Sequence, residues 1–380
     1  MKPSNNIRKK YHDLARETVH ERRDECYKER CLDRDSWQDL AREGLWKIPV
    51  PLQLGGAGGT WWDFVAAFEG IAAGGRDLGF NLSLVAHAGL IRSLMIYCTP
   101  AELETLLPPL LDGAVGATAL TETRGGSDVA RVETSATRSG DGSEYILSGT
   151  KDHVTHGPVC DHALVLARIP DLGDRDITLF MIDMNSPGIY QGDIEHMLGN
   201  RTSPTGPFSM DGVRVSADRI IGDPGDGLST IYNTISLDRL LYGVLAAAAL
   251  EPVLEECIDF AQHRVAFKKP IAEYQYIQQR LTEIKMSIET TRSLSYSALE
   301  SLVDGDPEAN LRCSAAKLHG AEALLSSSEH AVRIYGHLGY MEGPSSRFFC
   351  DALGTVIAGG TQEMQRKNLW NQMISLRGGR

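Results

Sequence analysis

The stretch Ala117-Thr118-Ala119-Leu120-Thr121-Glu122-Thr123-Arg124-Gly125-Gly126-Ser127-Asp128 changes character halfway along. Its first four residues form a short apolar, β-prone run. Its second half is a polar loop with paired glycines. Helical signals lie before it and return in the last part of the chain, while strand signals follow it directly. A loop at such a seam is either a ligand-binding loop or an ordinary strand exit, because Gly-Gly-Ser-Asp is good turn chemistry in any context.

Working back from this stretch, the chain reads as helices. Ile7, Tyr11 and Leu14 share one face at helical spacing. Asp35 is placed to cap a short helix ending near Gly44. Pro49, Pro51 and the glycine run 55–59 make a loop, and residues 61–73 and 82–97 are apolar and helix-like. Thr99-Pro100 opens another helix, with Glu102 and Glu104 favouring the positive end of its dipole. Forward from Gly116 the pattern becomes short runs rich in Val, Ile, Leu and Tyr (117–120, 144–147, 163–167, 177–182, 212–215), separated by Gly, Asp, Ser and Pro. No crossover helix fits between them, which predicts an antiparallel sheet. From Gly227 long amphipathic segments return almost to the end, and Pro252 predicts a kink or break in the first. The expected fold class is α+β: an N-terminal helical domain (1–115), a middle antiparallel β-domain (116–222) and a C-terminal four-helix bundle (223–380).

Composition narrows the function. The 380 residues are 42% hydrophobic and 23% charged, with a formal net charge of -12. That balance gives no basic face for nucleic acid and no reason to expect adhesion to an anionic membrane. No apolar run reads as a bilayer span; the best, 242–250, is short and closed by Glu251-Pro252. The seven cysteines are scattered without a C-x-x-C pair, which points to a reducing, cytoplasmic setting and against a metal site or disulfide framework.

The order of these motifs resembles the acyl-CoA dehydrogenase family over nearly the whole chain. The carriers are T-E-x-x-x-G-S-D at 121–128, Gly55-Gly56 with Gly58, Gly149-Thr150-Lys151 with Val154-Thr155, Met197-Leu198-Gly199 with Arg201, the segment from Arg264 through Phe267, Pro270 and Ile271 to Gln275, the turn from Ile334 to Tyr340, and Gly360-Thr361. The resemblance implies FAD between the β-domain and the C-terminal bundle, in a homodimer or homotetramer whose flavin touches a second subunit. It implies that Leu120, Thr121 and Ser127, on the small-residue loop with Gly126, lie along the flavin ring and the substrate thioester. It implies Thr155 near the flavin N5, and Arg264, Phe267 and Gln275 on the neighbouring subunit's FAD. Thr361 and Glu363 would help close the site. Read from the residues alone, Arg264 is either a phosphate partner or a surface charge, and Thr155 either a ligand or a strand threonine.

Two positions depart from the family pattern. Where many members carry the carboxylate that removes the substrate's α-proton, this chain has Gly359. Glu363 is close in sequence, but it lies on the far side of Thr361 and reads as a first-turn carboxylate of the last helix rather than as the base. Other members carry the base on the helix after the β-domain in a pattern like L-x-x-E-R. Here that helix reads Leu237-Asp238-Arg239, so Asp238 is the candidate base and Arg239 its candidate orienting partner, on the border of a stripe formed by Leu237, Leu240, Leu241 and Val244. His153 stands where the family often has a tryptophan packed on the flavin. It is either a ring on the flavin, a second acid/base or a polar strand residue.

The segment 351–365, through Asp351, Gly354, Thr355, Ile357, Met364 and Gln365, resembles oxidases of prolyl or other aminoacyl groups held on carrier proteins, and also reductases of enoyl or betainyl thioesters. The expected function is α,β-desaturation of an acyl thioester on CoA or a carrier protein in specialised metabolism, with a flavoprotein or O2 as electron acceptor. A flavin monooxygenase, an enoyl-thioester reductase and a non-catalytic flavin-binding protein are the alternatives.

Overall fold

Helices are punctuated where the sequence supplies side-chain caps. The computed structural model describes residues 2–378. The first helices are α1 (Asn5–Glu17), α2 (Val19–Glu29), α3 (Arg34–Arg42), α4 (Trp61–Gly75), α5 (Leu78–Tyr97) and α6 (Pro100–Leu111). Thr60 with Asp63 and Thr99 with Glu102 form capping boxes that satisfy orphan amides at the starts of α4 and α6. The cap of α3 is Asp33, not Asp35: its carboxylate accepts from the Ser36 amide at 3.0 Å, and Asp35 lies inside the first turn. Helix α5 is itself long and apolar enough to cross a bilayer, a feature the sequence reading placed nowhere in the chain. Its apolar residues face the protein interior on nearly every side, and 78% of that stretch is buried.

Seven strands follow: β1 (Gly116–Ala119), β2 (Ser135–Arg138), β3 (Glu144–Thr155), β4 (His162–Arg168), β5 (Ile177–Asp183), β6 (Ile189–Gln191) and β7 (Thr205–Ser216). They form one sheet in the order β1-β4-β2-β3-β7-β6, with β5 on β4. The β-domain is present as expected, but its sheet is mixed. β1 runs parallel to β4, Gly116 opposite His162 through Ala119 opposite Val165, and β2 meets β4 in parallel at Ser135 and Arg168. The link between the parallel strands β1 and β4 is the β2–β3 hairpin, so no crossover helix was needed.

The last third opens with α7 (Gly227–His263), then β8 (Val265–Ala266) and β9 (Lys269–Pro270), then α8 (Gln275–Asp304), α9 (Ala309–Tyr335), α10 (His337–Tyr340), α11 (Pro344–Thr355) and α12 (Gln362–Gly378). The long helices α7, α8 and α9 pack on one another, with α11 and α12 against α9. Pro252 does not break α7, which runs through it. Leu250 and Leu254 on either side stay in the core, and that packing offsets the lost backbone hydrogen bond. A network of Arg8, Glu69, Glu251, Arg292 and Tyr296 ties the N-terminal helices to this bundle; the nearly buried Glu69 accepts from Tyr296 Oη at 2.9 Å and Arg292 Nε at 3.2 Å.

Beneath the sheet's first loop lies a buried ion pair. Lys151 Nζ donates to Glu122 Oε1 and to the Leu166 carbonyl, both at 2.6 Å. Glu122 also accepts from the Glu133 amide (2.6 Å), the Thr134 amide (3.1 Å) and the Thr134 hydroxyl (2.5 Å). Burial opposes ionisation of Glu122, but Lys151, Thr134 and the Glu133 amide outweigh it and hold the carboxyl below its ordinary value. Replacing only the cation strands a carboxylate in the core. Lys151→Met is therefore expected to cost roughly 3–5 kcal/mol in denaturant-induced unfolding.

Candidate active site

Helix α5 separates two polar arrangements. On one face His87 Nδ1 accepts from the Gly116 amide at 3.1 Å, while Nε2 donates to the Leu110 carbonyl at 3.1 Å. From the other side His156 Nδ1 donates to the Gly116 carbonyl at 2.9 Å. Both rings are enclosed, and burial pushes His87 down to about 3 and His156 down to about 4, so both are neutral and structural. Together they fix the start of β1 and aim the strand that ends in Leu120.

On the opposite face α5 packs on α7. Ser93 Oγ and Thr234 Oγ1 lie 2.7 Å apart, and Arg92 Nη1 donates to the Asn233 carbonyl at 3.0 Å. One turn further along α7, Asp238 sits over Gly89. A Cβ at Gly89 would lie 2.0 Å from Asp238 Oδ1, so the carboxylate occupies the space that the glycine leaves. Oδ1 is enclosed and has no hydrogen-bond partner among the described residues. Burial pushes the Asp238 carboxyl up to about 8 against the pull of Arg239 and Arg92. Arg239 is buried beside it but makes no ion pair with it among the described residues, so it does not orient Asp238 through a direct contact.

Gly359 lies on the same side of α7. Its φ of +68° is left-handed, and a Cβ there would meet the Tyr242 ring at 2.7 Å. Tyr242 is four residues after Asp238 and shares its helical face. The ring therefore fills the space a side chain at 359 would need. The loop is held by polar contacts: Lys317 Nζ donates to the Gly360 carbonyl at 2.7 Å, and Gln365 Nε2 to the Gly359 and Gly360 carbonyls at 3.1 and 3.2 Å. Lys317 also lies over the Tyr242 ring, 5.6 Å from its centre. Thr361 caps α12, its hydroxyl accepting from the Met364 amide at 3.4 Å. Glu363 is exposed in the first turn, and its own amide and the Thr361 hydroxyl hold its carboxyl below the ordinary value. That is the helix-start role, away from the enclosed Asp238.

The sheet-side residues gather around the β1 loop. Leu120 and Thr121 are half-buried, and the Thr121 carbonyl accepts from the Asp152 amide at 2.9 Å, which ties the loop to β3. Gly126 and Ser127 are exposed at the tip. A bulge between Lys151 and Val154 turns His153 outward at φ +53°, where Nδ1 pairs with Glu195 Oε1 at 2.7 Å. Thr155 follows, opposite Thr205.

Arg264, Phe267 and Gln275 do not join this group. All three are exposed at the far end of α7, on the β8–β9 hairpin and the first turn of α8. At ~1.5 Å per helical residue, Arg264 lies roughly 39 Å along the axis from Asp238. One chain thus brings together Asp238, Arg239, Tyr242, Lys317 and the 359–361 loop, and leaves the hairpin set elsewhere.

Sequence reasoning missed Gly89, Arg92, Tyr242 and Lys317. A signal existed for Lys317, a lone lysine on the face made by Cys313, Gly320 and Leu324. Restoring a side chain at 359 meets both the strained backbone and the Tyr242 ring. Gly359→Ala is expected to lower stability by roughly 1–3 kcal/mol in thermal unfolding.

Models of the N-terminal, middle and C-terminal domains of acyl-CoA dehydrogenases match residues 3–114, 117–213 and 225–374. The chain is 32% identical over 330 residues to an acyl-CoA dehydrogenase of Bacillus subtilis, covering 86% of each. It is 33% identical over 326 residues to cyclohexane-1-carbonyl-CoA dehydrogenase of Geobacter metallireducens, covering 85% of this chain and 84% of that one. Among solved structures it superimposes on the prolyl acyl carrier protein oxidase AnaB with a TM-score of 0.92 at 28% identity, over 97% of this chain and 98% of that one. The mixed sheet between two helical regions, and the motifs along it, are those of one lineage: this chain belongs to the acyl-CoA dehydrogenase family of FAD-dependent oxidoreductases.

Proposed function

We propose that the chain desaturates an acyl thioester between its α and β carbons, with Asp238 taking the α-proton. One observation carries this reading. Asp238 is a carboxylate enclosed over Gly89 with a free Oδ1, on the helix where some family members carry their base. The α-proton of a thioester is too weakly acidic for a solvated carboxylate. Burial makes Asp238 a stronger base, consistent with a value of about 8.

The groups around the β1 loop fit FAD. The Gly126 and Ser127 amides and the Thr121 and Thr155 hydroxyls make no hydrogen bond among the described residues, and the space a Cβ at Gly126 would take is open except for Thr121 Cγ2 at 4.0 Å. Such uncommitted donors suit a ring edged with carbonyl oxygens and nitrogens. FAD, when bound, supplies the acceptor for the β-hydrogen. Asp238 holds the α-proton, and Lys317 and Gln365 fix the Gly359–Gly360 carbonyls beside it. The acyl group rides on CoA or on a carrier protein, and the likeness to a carrier-protein oxidase supports keeping the second. A flavoprotein or O2 then takes the electrons.

The distance from Asp238 to Arg264 supports a site shared between two copies of the chain, the hairpin of one serving the FAD of the other. Asp238→Asn and Arg264→Ala are each expected to be inactive, the second through weakened FAD retention. Mixed oligomers of the two variants regain activity, since one of their sites carries neither change. Failure to complement, with exchange of subunits verified, argues for sites confined to single chains.

The direct test is anaerobic bleaching of flavin absorbance by a panel of acyl thioesters. Asp238→Asn is expected to slow bleaching by about 10²–10⁴-fold with FAD still bound. The base must be ionised, so kcat/KM rises about tenfold per pH unit below 8 and levels off above it. The sign for stability is opposite. The folded value lies above the ordinary 3.8, so this group favours folding at low pH, and that contribution disappears as pH rises through about 8. A flavin that binds but that no thioester bleaches would overturn the proposal.

A further inference from the structure

The phenol of Tyr242 has an uncommitted hydroxyl. Among the described residues its Oη makes no hydrogen bond, although the residue is only 8% exposed. A buried Tyr O–H ordinarily finds an acceptor, so one left open calls for a cause. The neighbours hold the ring without using the hydroxyl. The Lys317 ammonium stands 5.6 Å from the ring centre, and the Gly359 backbone closes on the ring edge. A Cβ at Gly359 would lie 3.2 Å from Oη, so the hydroxyl reaches the exposed 359–360 loop.

Asp238 is the second uncommitted group on this face. It precedes Tyr242 by four residues on α7, a spacing that sets side chains side by side with Cβ atoms about 5–6 Å apart. The two make no hydrogen bond to each other among the described residues. Oδ1 is enclosed, but Asp238 as a whole is only half-buried, and Gly359 is exposed, so each of the three keeps surface that a ligand can touch. Burial, and then the charge of Asp238, push the phenol above its ordinary value, so it stays protonated and serves as a donor. A base and a donor one turn apart match the two demands of α-proton abstraction. The proton needs a base, and the electron pair it leaves needs stabilising on the carbonyl oxygen.

We propose that Tyr242 is a catalytic residue, its Oη–H donating to the thioester carbonyl oxygen of the substrate while Asp238 removes the α-proton. The inference rests on the acyl-thioester reading above and adds the group that stabilises the enolate. The α C–H bond breaks, its proton goes to the Asp238 carboxylate, and its electron pair spreads onto the carbonyl oxygen under the Tyr242 hydrogen bond. That pair then forms the α,β double bond as the β-hydrogen leaves with its own pair for the acceptor. The ring thus does two things in one place: it excludes a side chain at 359 and supplies a donor there.

An acetyl thioester isolates the proton half of the reaction, because it has α-hydrogens and no β-carbon to oxidise. S-acetylpantetheine is incubated in D2O with the FAD-loaded protein, and loss of the acetyl proton signal is followed by NMR. The unaltered protein is expected to exchange α-hydrogen for deuterium above the buffer rate, and Asp238→Asn to lose that exchange. Tyr242→Phe keeps the ring against Gly359 and removes only the donor. It is expected to slow the saturated exchange about 10²-fold, the scale of one lost oxyanion donor, with FAD retention, thermal midpoint and half-saturating concentration unchanged. Tyr242→Met, also without a donor, gives a second reading where Tyr242→Phe fails to fold. Exchange by Tyr242→Phe at the unaltered rate overturns the inference and leaves Asp238 as the base. A loss confined to the half-saturating concentration also overturns it, since that marks a packing role. No exchange by the unaltered protein overturns Asp238 as the base, and this inference with it.

Discussion

The contact between Lys151 and Glu122 sets the geometry of the β-domain. One ammonium and one carboxylate, both removed from water, join the end of β1, the entry to β2, the middle of β3 and the backbone of β4. The pair is costly to bury and is retained with its hydrogen-bonding capacity well used. The consequence lies a few residues away. Glu122 anchors the chain from inside, and the loop beyond it is held by the Gly125 amide turning back to the Glu122 carbonyl at 2.9 Å and by the Arg131 amide on the Asp128 carbonyl at 3.0 Å, which leaves the Gly126 and Ser127 amides uncommitted among the described residues. The amides at the loop tip stay available to a ligand.

Helix α5 transmits that order to the helical side. Its His87 face fixes Gly116 and therefore the direction of β1, while its Gly89 face makes room for Asp238. The position of the carboxylate relative to the β1 loop is thus set by one rigid element packed on both sides. Ser93 with Thr234 and Arg92 with the Asn233 carbonyl lock the register between α5 and α7. Arg292 and Glu69 hold the next layer, where α4 meets the bundle. Core helices locked by polar cross-ties suit a site that must hold a base close to a carbon it deprotonates.

Much of this was legible in the sequence, and the parts that were not share a cause. Helices and strands followed from periodicity, and the position of Asp238 followed from the motif it sits in. Glu363 read correctly as a first-turn carboxylate, because helix starts have local signatures. The parallel pairing of β1 with β4 was missed because a hairpin, not a helix, makes the return. Lys151 was recognisable as part of a motif, but its buried partner lies 29 residues away and leaves no periodic trace. The partners of Tyr242 and Lys317 were hidden for the same reason, although the lone lysine on an apolar face marked Lys317 itself. Their meaning comes from a glycine loop more than forty residues downstream of the nearer one, reached only through packing. Local signals find elements, whereas sites assembled from distant segments appear only once the elements are docked.

Gly359 has a bearing on the history open to this chain. A carboxylate there would have to adopt a left-handed backbone and displace an aromatic ring. A carboxylate at 359 therefore calls for a coupled change at Tyr242 and a rearranged loop. Two substitutions that share one volume act together, and the first is unfavourable alone. Packing acts here as a ratchet: with the Tyr242 ring in that volume, a carboxylate at 359 is closed to this chain short of a paired change.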